Sequence, residues 1–457
     1  MTISDQNNEP CGIGSYPEYH ALWHLAACGV VTDLDTFESP AWDAAMMAEP
    51  VVIALIDTSV AWRHPNLQGA IDTALMLDFA VAPLGAHPVA AADLAPEDAA
   101  RRAAVMAALA DRPDDPEAQA LIAHLRTGAP GASAVSPAFS GHGTAMAGLL
   151  AARPARGYDL HVPSRRAETA ATDRPAARLP TVLPYAGVNP HARIVPISTS
   201  GAPDPRMVAM AMCYADLIGA DLIVFAAHVD PPDPDRPDAS DPVPLPERAA
   251  WEALERRLLG IAARRPVFCA AGNAGDDHVV YPARLADGVN GIIAAGAAGA
   301  EGQRSSYAPD RPHPEVTVTA HSGDAPCHDR RDTRIDPYAR PVPGAGAPGP
   351  QDGAAAASVQ DIIATDVPGP FGYNPSDIAH VPDPGGARLI HDLGALYCRF
   401  SGTSAATGVA AGIVSLAIAT GKLARGDLAA LHAVLAADPP NGSDDAPPGP
   451  LNLAHFG

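Results

Sequence analysis

The chain has 457 residues, 47% hydrophobic but only 5% aromatic, so a sizeable core has to be built mainly from Ala, Val, Leu and Ile. Its 30 Lys and Arg against 52 Asp and Glu give a formal charge of −22, which repels phosphate backbones and anionic headgroups and argues against nucleic-acid or membrane partners. No export signal or run of about 18 apolar residues is visible, and the six cysteines are scattered without a CxxC pair, so a cytoplasmic protein with reduced thiols is expected.

Residues 1–50 carry apolar anchors (Tyr16, Tyr19, Leu22, Trp23, Leu25) without a strand pattern and read as a docked N-terminal arm. Val51 to Ile56 is a continuous apolar run ended by Asp57, which suits a strand buried on both faces of a parallel sheet. Residues 68–140 read as an inserted helical region. One helix is expected over 96–111, starting at Pro96. Another follows Asp115-Pro116 and stops at Gly128.

From 181 the order becomes regular. Strands are expected at 192–197, 222–225, 267–270 and 291–295, with helices at 205–218 and 246–264 between them. That alternation predicts an α/β fold, a doubly wound and mostly parallel sheet with helices on both faces. Two stretches read as loops: 230–247, acidic and rich in proline, and 324–358, rich in Pro, Gly and Ala, inside an insertion spanning about 311–360. The Asp spacing in the first fits no calcium loop.

Four short segments carry chemistry. They are Ile56-Asp57-Thr58-Ser59, Ser140-Gly141-His142-Gly143-Thr144, Ala270-Ala271-Gly272-Asn273, and Phe400-Ser401-Gly402-Thr403-Ser404. Singly each is weak: an Asp ending a strand also serves as a helix N-cap, and a His between glycines also serves as a turn residue. Together they supply an Asp, a His and a Ser that an open α/β sheet can gather at the carboxyl ends of its strands. A serine hydroxyl becomes nucleophilic when an imidazole accepts its proton, and a buried carboxylate fixes that imidazole's tautomer. Ser404 precedes a long apolar helix that stops at Gly421, which puts its amide at a helix N-terminus suited to a developing oxyanion. The Asn273 side-chain amide is a candidate second donor.

These four segments resemble the Asp-Thr-Gly, His-Gly-Thr, Ala-Ala-Gly-Asn and Gly-Thr-Ser motifs of the subtilisin-like serine peptidases, the subtilases. GVNPHARIVPI (187–197), GADLIV (219–224), YPA (281–283) and DIIATDVPG (361–369) add weaker matches. The resemblance implies a subtilisin-like domain over 51–437, interrupted by the two insertions, with 438–457 as a tail. It implies that Asp57, His142 and Ser404 form the catalytic triad and that Asn273 completes the oxyanion hole. Ala226, Ala227, His228 and Gly272 would line the cleft for extended substrate, with Ala226-Ala227-His228 standing where the family usually has Ser-Leu-Gly. Ser59 and Gly408 also depart from the family pattern.

The reading is a serine endopeptidase acting on polypeptide through an acyl-enzyme and needing no cofactor for catalysis, although structural calcium is frequent in relatives. The alternatives are a dedicated processing peptidase or peptide acyl-transferase with one partner protein, and a catalytically silent binding scaffold. No histidine pair has HExxH spacing, and no GxSxG elbow, P-loop or GxGxxG fingerprint occurs. Cys269, beside the third motif, reads as a small core residue.

Overall fold

Val52–Asp57 form β1, and the alternation of its side chains explains why the run is apolar throughout. Ile53 and Leu55 pack into one core and Ala54 and Ile56 into another, so the strand is covered on both faces. Each large side chain buried this way contributes about 1.5–3 kcal/mol over an exposed one. The computed structural model describes residues 3–4, 10–11, 22–33, 38–79, 87–127, 141–161, 175–183, 185–199, 203–227, 229, 245–276, 278–309, 315–323, 362–369, 372–373, 396–436 and 449–457.

The chain then adds β2 (Leu77–Asp78), α3 (Pro96–Ala110), α4 (Pro116–Thr127), α5 (Gly141–Ala151) and an antiparallel pair, β3 (Ala155–His161) with β4 (Pro175–Leu183). Upstream lie α1 (Trp23–Ala27) and α2 (Pro40–Met46). There follow β5 (Arg193–Ser198), α6 (Pro205–Leu217), β6 (Leu222–Phe225), α7 (Leu245–Ala262), β7 (Val267–Ala270), β8 (Ile292–Ala298) and β9 (Val318–His321). A small antiparallel pair, β10 (Ile363–Thr365) and β11 (Tyr397–Arg399), leads into α8 (Gly402–Ala419), and α9 (Leu428–Ala436) follows.

Seven strands form one sheet in the order β9-β8-β7-β6-β1-β5-β2, every pair parallel. Helices α5 and α8 share the core on one face, and α6, α7, Leu109 of α3 and Leu121 of α4 share the core on the other. The order reverses at β1, with β5 on one side and β6 on the other, so Asp57 ends the strand at the switch point. Open sheets of this kind leave a crevice there.

Helix α8 has the length and apolarity of a membrane span but is wholly buried between the sheet and its neighbours. It ends at Ala419 with Thr420 as its C-cap, and Gly421 turns the chain away at φ +74°.

Two expectations need correction. The segment 68–140 is not wholly an inserted helical region, because β2 inside it pairs with β5 and forms one sheet edge. Likewise β9, inside the expected insertion 311–360, pairs with β8 and forms the other edge. The helical part of the first segment is tied to the domain: Arg257 of α7 bridges Asp115 and Glu117 at the start of α4, and the buried Arg102 of α3 donates to the Ala74 and Val89 carbonyls at 2.6 and 2.7 Å. Gly128, the stretch 324–358 and residues 230–244 of the acidic loop lie outside the described residues. The last three of that loop, 245–247, open α7.

The described part of the N-terminal arm docks against α8: Leu22, Leu25 and Cys28 are buried, and Trp42 Nε1 donates to the Val188 carbonyl at 2.8 Å. The tail closes on the same region. Asn452 Nδ2 donates to Ala27 O at 2.8 Å, and the Leu451 amide donates to Thr319 O at 2.8 Å on the edge strand.

Candidate active site

Asp57 is 1% exposed, and its carboxylate is fully engaged. Oδ1 accepts from the Thr58 amide at 2.7 Å and from His142 Nδ1 at 2.7 Å, while Oδ2 lies 2.9 Å from the same nitrogen. A carboxylate only accepts, so the Nδ1 proton belongs to the imidazole and the neutral ring keeps its Nε2 lone pair for another partner. The Asp57 carbonyl is held by the Thr199 amide at 2.6 Å, which locks the strand end to β5.

His142 sits in the first turn of α5, with its ring edge-on to Phe400 at 5.2 Å between centroids. The helix can come this close because of Gly143. A Cβ there would lie 2.2 Å from the Thr58 carbonyl oxygen and 2.8 Å from that of Ser59. The Gly143 amide in turn donates to Thr58 Oγ1 at 2.9 Å. Burial disfavours the imidazolium, but the charge of Asp57 and its hydrogen bond outweigh burial, so the His142 pKa stands above its ordinary value.

Ser404 lies in the first turn of α8 rather than ahead of it. Its hydroxyl donates to the Ala226 carbonyl at 3.3 Å, and no hydrogen bond joins it to His142 among the described residues. Ser401 stands at the N-cap of α8 but accepts no backbone bond with its side chain, and its buried hydroxyl has no partner among the described residues. An N-cap side chain normally satisfies the amide two or three residues on, and here the Ser401 side chain does not occupy the Ser404 N–H.

Asn273 follows β7 in an exposed loop. Its Oδ1 accepts from the Thr403 amide at 2.8 Å and from Thr403 Oγ1 at 3.1 Å. Two donors facing one end of the amide identify that end as oxygen, which turns Nδ2 the other way as a donor. The loop is further joined to α8 by the Gly272 amide, which donates to Thr403 Oγ1 at 3.1 Å.

The structure therefore brings Asp57 and His142 into direct contact and sets Ser404 and Asn273 on the shared Thr403 bridge. Of the expected cleft residues, Ala226 supplies the carbonyl that accepts the Ser404 hydrogen bond, Ala227 is half-buried at the same strand end, and Gly272 is buried at φ +124°. His228 lies outside the described residues. Cys269 is a core residue of β7, and burial pushes its thiol up. No three His, Cys, Asp or Glu side chains gather to hold a metal ion among the described residues.

The residues that sequence reasoning missed are Thr58 and Thr403, which lie inside the motifs but carry no separate signal, and Phe400, which backs the histidine ring.

A carboxylate-bound histidine and a helix-tip serine at the carboxyl edge of a parallel α/β sheet define the architecture of a serine peptidase. The chain belongs to the subtilase family, whose model matches residues 48–366, a span holding Asp57, His142 and Asn273 and ending before Ser404. Among solved structures, a lanthipeptide protease aligns over 96% of this chain and 93% of its own, at 15% identity and a TM-score of 0.51. The epidermin leader peptide processing serine protease of Staphylococcus aureus aligns over 100% of this chain and 83% of its own, at 14% identity and a TM-score of 0.52. At these identities the likeness is one of fold. No curated protein matches the chain.

Proposed function

We propose that this subtilase cleaves peptide bonds with Ser404 as nucleophile, His142 as general base and acid, and Asp57 as the group that fixes the imidazole. The observation carrying this is the contact of His142 Nδ1 with both Asp57 oxygens at 2.7 and 2.9 Å, which leaves Nε2 unprotonated in the neutral ring. In the proposed reaction the Ser404 hydroxyl leaves the Ala226 carbonyl for that nitrogen when substrate binds; such bonds commonly tighten only in the substrate complex.

Ser404 Oγ attacks the scissile carbonyl carbon as its proton passes to His142 Nε2, and the carbonyl oxygen becomes an oxyanion held by the Ser404 amide and Asn273 Nδ2. His142 returns the proton to the leaving amine, the C–N bond breaks, and water repeats the sequence on the acyl-enzyme. These groups complete the reaction without a cofactor. Ser404→Ala is expected to abolish turnover of a quenched peptide pool while leaving the thermal midpoint unchanged; retained turnover would refute the assignment.

Within that chemistry, we favour a dedicated processing role over broad proteolysis. Two neighbours of like fold are a lanthipeptide protease and a leader-peptide processing protease, and this role draws on that likeness. A reducing, cytoplasmic setting belongs to the same proposal and draws on the unpaired, buried Cys28, Cys213, Cys269 and Cys398. Incubation with precursor peptides should give one discrete cut by mass spectrometry, and many cuts across unrelated proteins would contradict this role.

A further inference from the structure

The Ser404 amide can hold an oxyanion only if the peptide groups before it keep one orientation, and two of the residues that hold them, Tyr307 and Ser322, lie outside the four sequence motifs. The Gly402 amide donates to the Tyr307 hydroxyl at 3.2 Å. Tyr307 donates to Ser322 Oγ at 2.8 Å, with the Gly323 carbonyl an alternative acceptor at 2.9 Å. Ser322 Oγ donates to the Gly402 carbonyl at 2.9 Å. The circuit begins and ends on one glycine, with the single Tyr307 proton facing both Ser322 Oγ and the Gly323 carbonyl and the Ser322 proton given to Gly402. Tyr307, Ser322 and Gly402 are all buried, so no solvent replaces a lost partner without cost.

The position matters because Gly402 has φ +87°, a region where glycine alone is comfortable and where its flanking peptide groups can reorient cheaply. The circuit removes that freedom. With the Gly402 carbonyl tied to Ser322 and the Thr403 amide tied to Asn273, the Gly402–Thr403 peptide is fixed at both ends. The Thr403 carbonyl, one peptide further on, accepts from Thr407 Oγ1 at 2.7 Å, which sets the plane carrying the Ser404 N–H.

The main chain of Tyr307 reaches the loop that carries the other oxyanion donor. Its carbonyl accepts from the Gly275 amide at 2.9 Å, two residues beyond Asn273. A Cβ at Gly275 would lie 2.6 Å from the Ser306 carbonyl oxygen, so the two loops are in close backbone contact. One residue thus touches the nucleophile turn with its side chain and the Asn273 loop with its backbone.

We infer that Tyr307 and Ser322 are positioning residues for the oxyanion pocket, holding the Ser404 amide and the Asn273 loop at a fixed separation while charge develops on the substrate. This rests on the roles assigned above to Ser404 and Asn273. Tyr307→Phe keeps the ring and removes one oxygen, and Ser322→Ala opens the circuit at another point.

The test measures kcat and KM for both variants, normalised to active sites counted by the burst of an activated ester, together with affinity for a peptide boronate that forms a tetrahedral adduct. Misplaced oxyanion donors should lower kcat per active site by about 10- to 100-fold. KM should stay within about twofold, and boronate affinity should fall by the same factor as kcat/KM. Wild-type kcat per site in both variants would overturn the inference, and so would a loss confined to the number of active sites. Ser404→Ala separates the two levels of the account. If it still turns over substrate, the underlying assignment fails; if it is inactive beside a fully active Tyr307→Phe, the positioning role alone fails.

Discussion

Replacing Asp57 by Asn changes one atom and reverses the hydrogen-bond logic of the site. The Thr58 amide, 2.7 Å from Oδ1, continues to need an acceptor, so the new side chain keeps its oxygen there and its NH2 group takes the place of Oδ2, 2.9 Å from His142 Nδ1. Two donors cannot face each other, and the ring adopts the tautomer with its proton on Nε2, where it can no longer accept from Ser404. Loss of the correct tautomer costs about 10⁴-fold in kcat, or about 5.4 kcal/mol.

The same substitution shifts the pH profile. In the wild type burial lowers the His142 pKa, but Asp57 outweighs it, so the acid limb of kcat/KM lies above the ordinary histidine value of 6.5. Without the carboxylate only burial is left, and the residual activity of Asp57→Asn should titrate below that value. Stopped assays with a quenched peptide from pH 5 to 9 read both effects. A variant within tenfold of wild-type kcat, or with an unmoved acid limb, would refute the reasoning.

Three further outcomes follow from the geometry. Asn273→Ala removes one oxyanion donor and should lower kcat by about 10²–10³ with little change in KM, read by steady-state kinetics. Gly143→Ala places a methyl group 2.2 Å from the Thr58 carbonyl oxygen, so α5 must move away from β1 and His142 with it; activity should be lost together with about 1–3 kcal/mol of stability in urea titration. Arg257→Ala breaks the half-buried bridge to Asp115 and Glu117 and should cost about 1–3 kcal/mol while leaving kcat unchanged. Burial raises the Asp115 pKa, but Arg257 and the Ala118 amide outweigh it and hold it below 3.8. This stabilisation is present above pH 3.8 and is lost as pH falls through the lowered value, so the gap between wild type and Arg257→Ala should narrow in acid.

Much of this was legible in the sequence where pattern and chemistry coincide. Val52 to Asp57 reads as a doubly buried strand because both alternating faces are apolar, and the structure fills each face with a different core. The edges were not legible. β2 is two residues long and β9 reads Val-Thr-Ala-His, too short and too polar for a periodic signal, so both fell inside presumed insertions. The pair β3 and β4 carries Arg, Asp and Pro where alternation would be expected, and only its cross-strand pairing defines it.

At the site, Asp57, His142, Asn273 and Ser404 could be named because each sits in a short motif. Tyr307 and Ser322 could not, since their role depends on a bond to Gly402 made across 95 and 80 positions of chain. The motifs also could not show that the Ser404 hydroxyl donates to Ala226 in this structure, because a side-chain conformation leaves no trace in sequence.

Labelling with a fluorophosphonate, followed by intact mass and peptide mapping, tests most directly whether Asp57, His142 and Ser404 act as one relay. A single adduct on the Ser404 peptide is expected, absent in Ser404→Ala and formed far more slowly in His142→Ala and Asp57→Asn. A label on another residue, or one that forms at the wild-type rate without His142, would contradict the account.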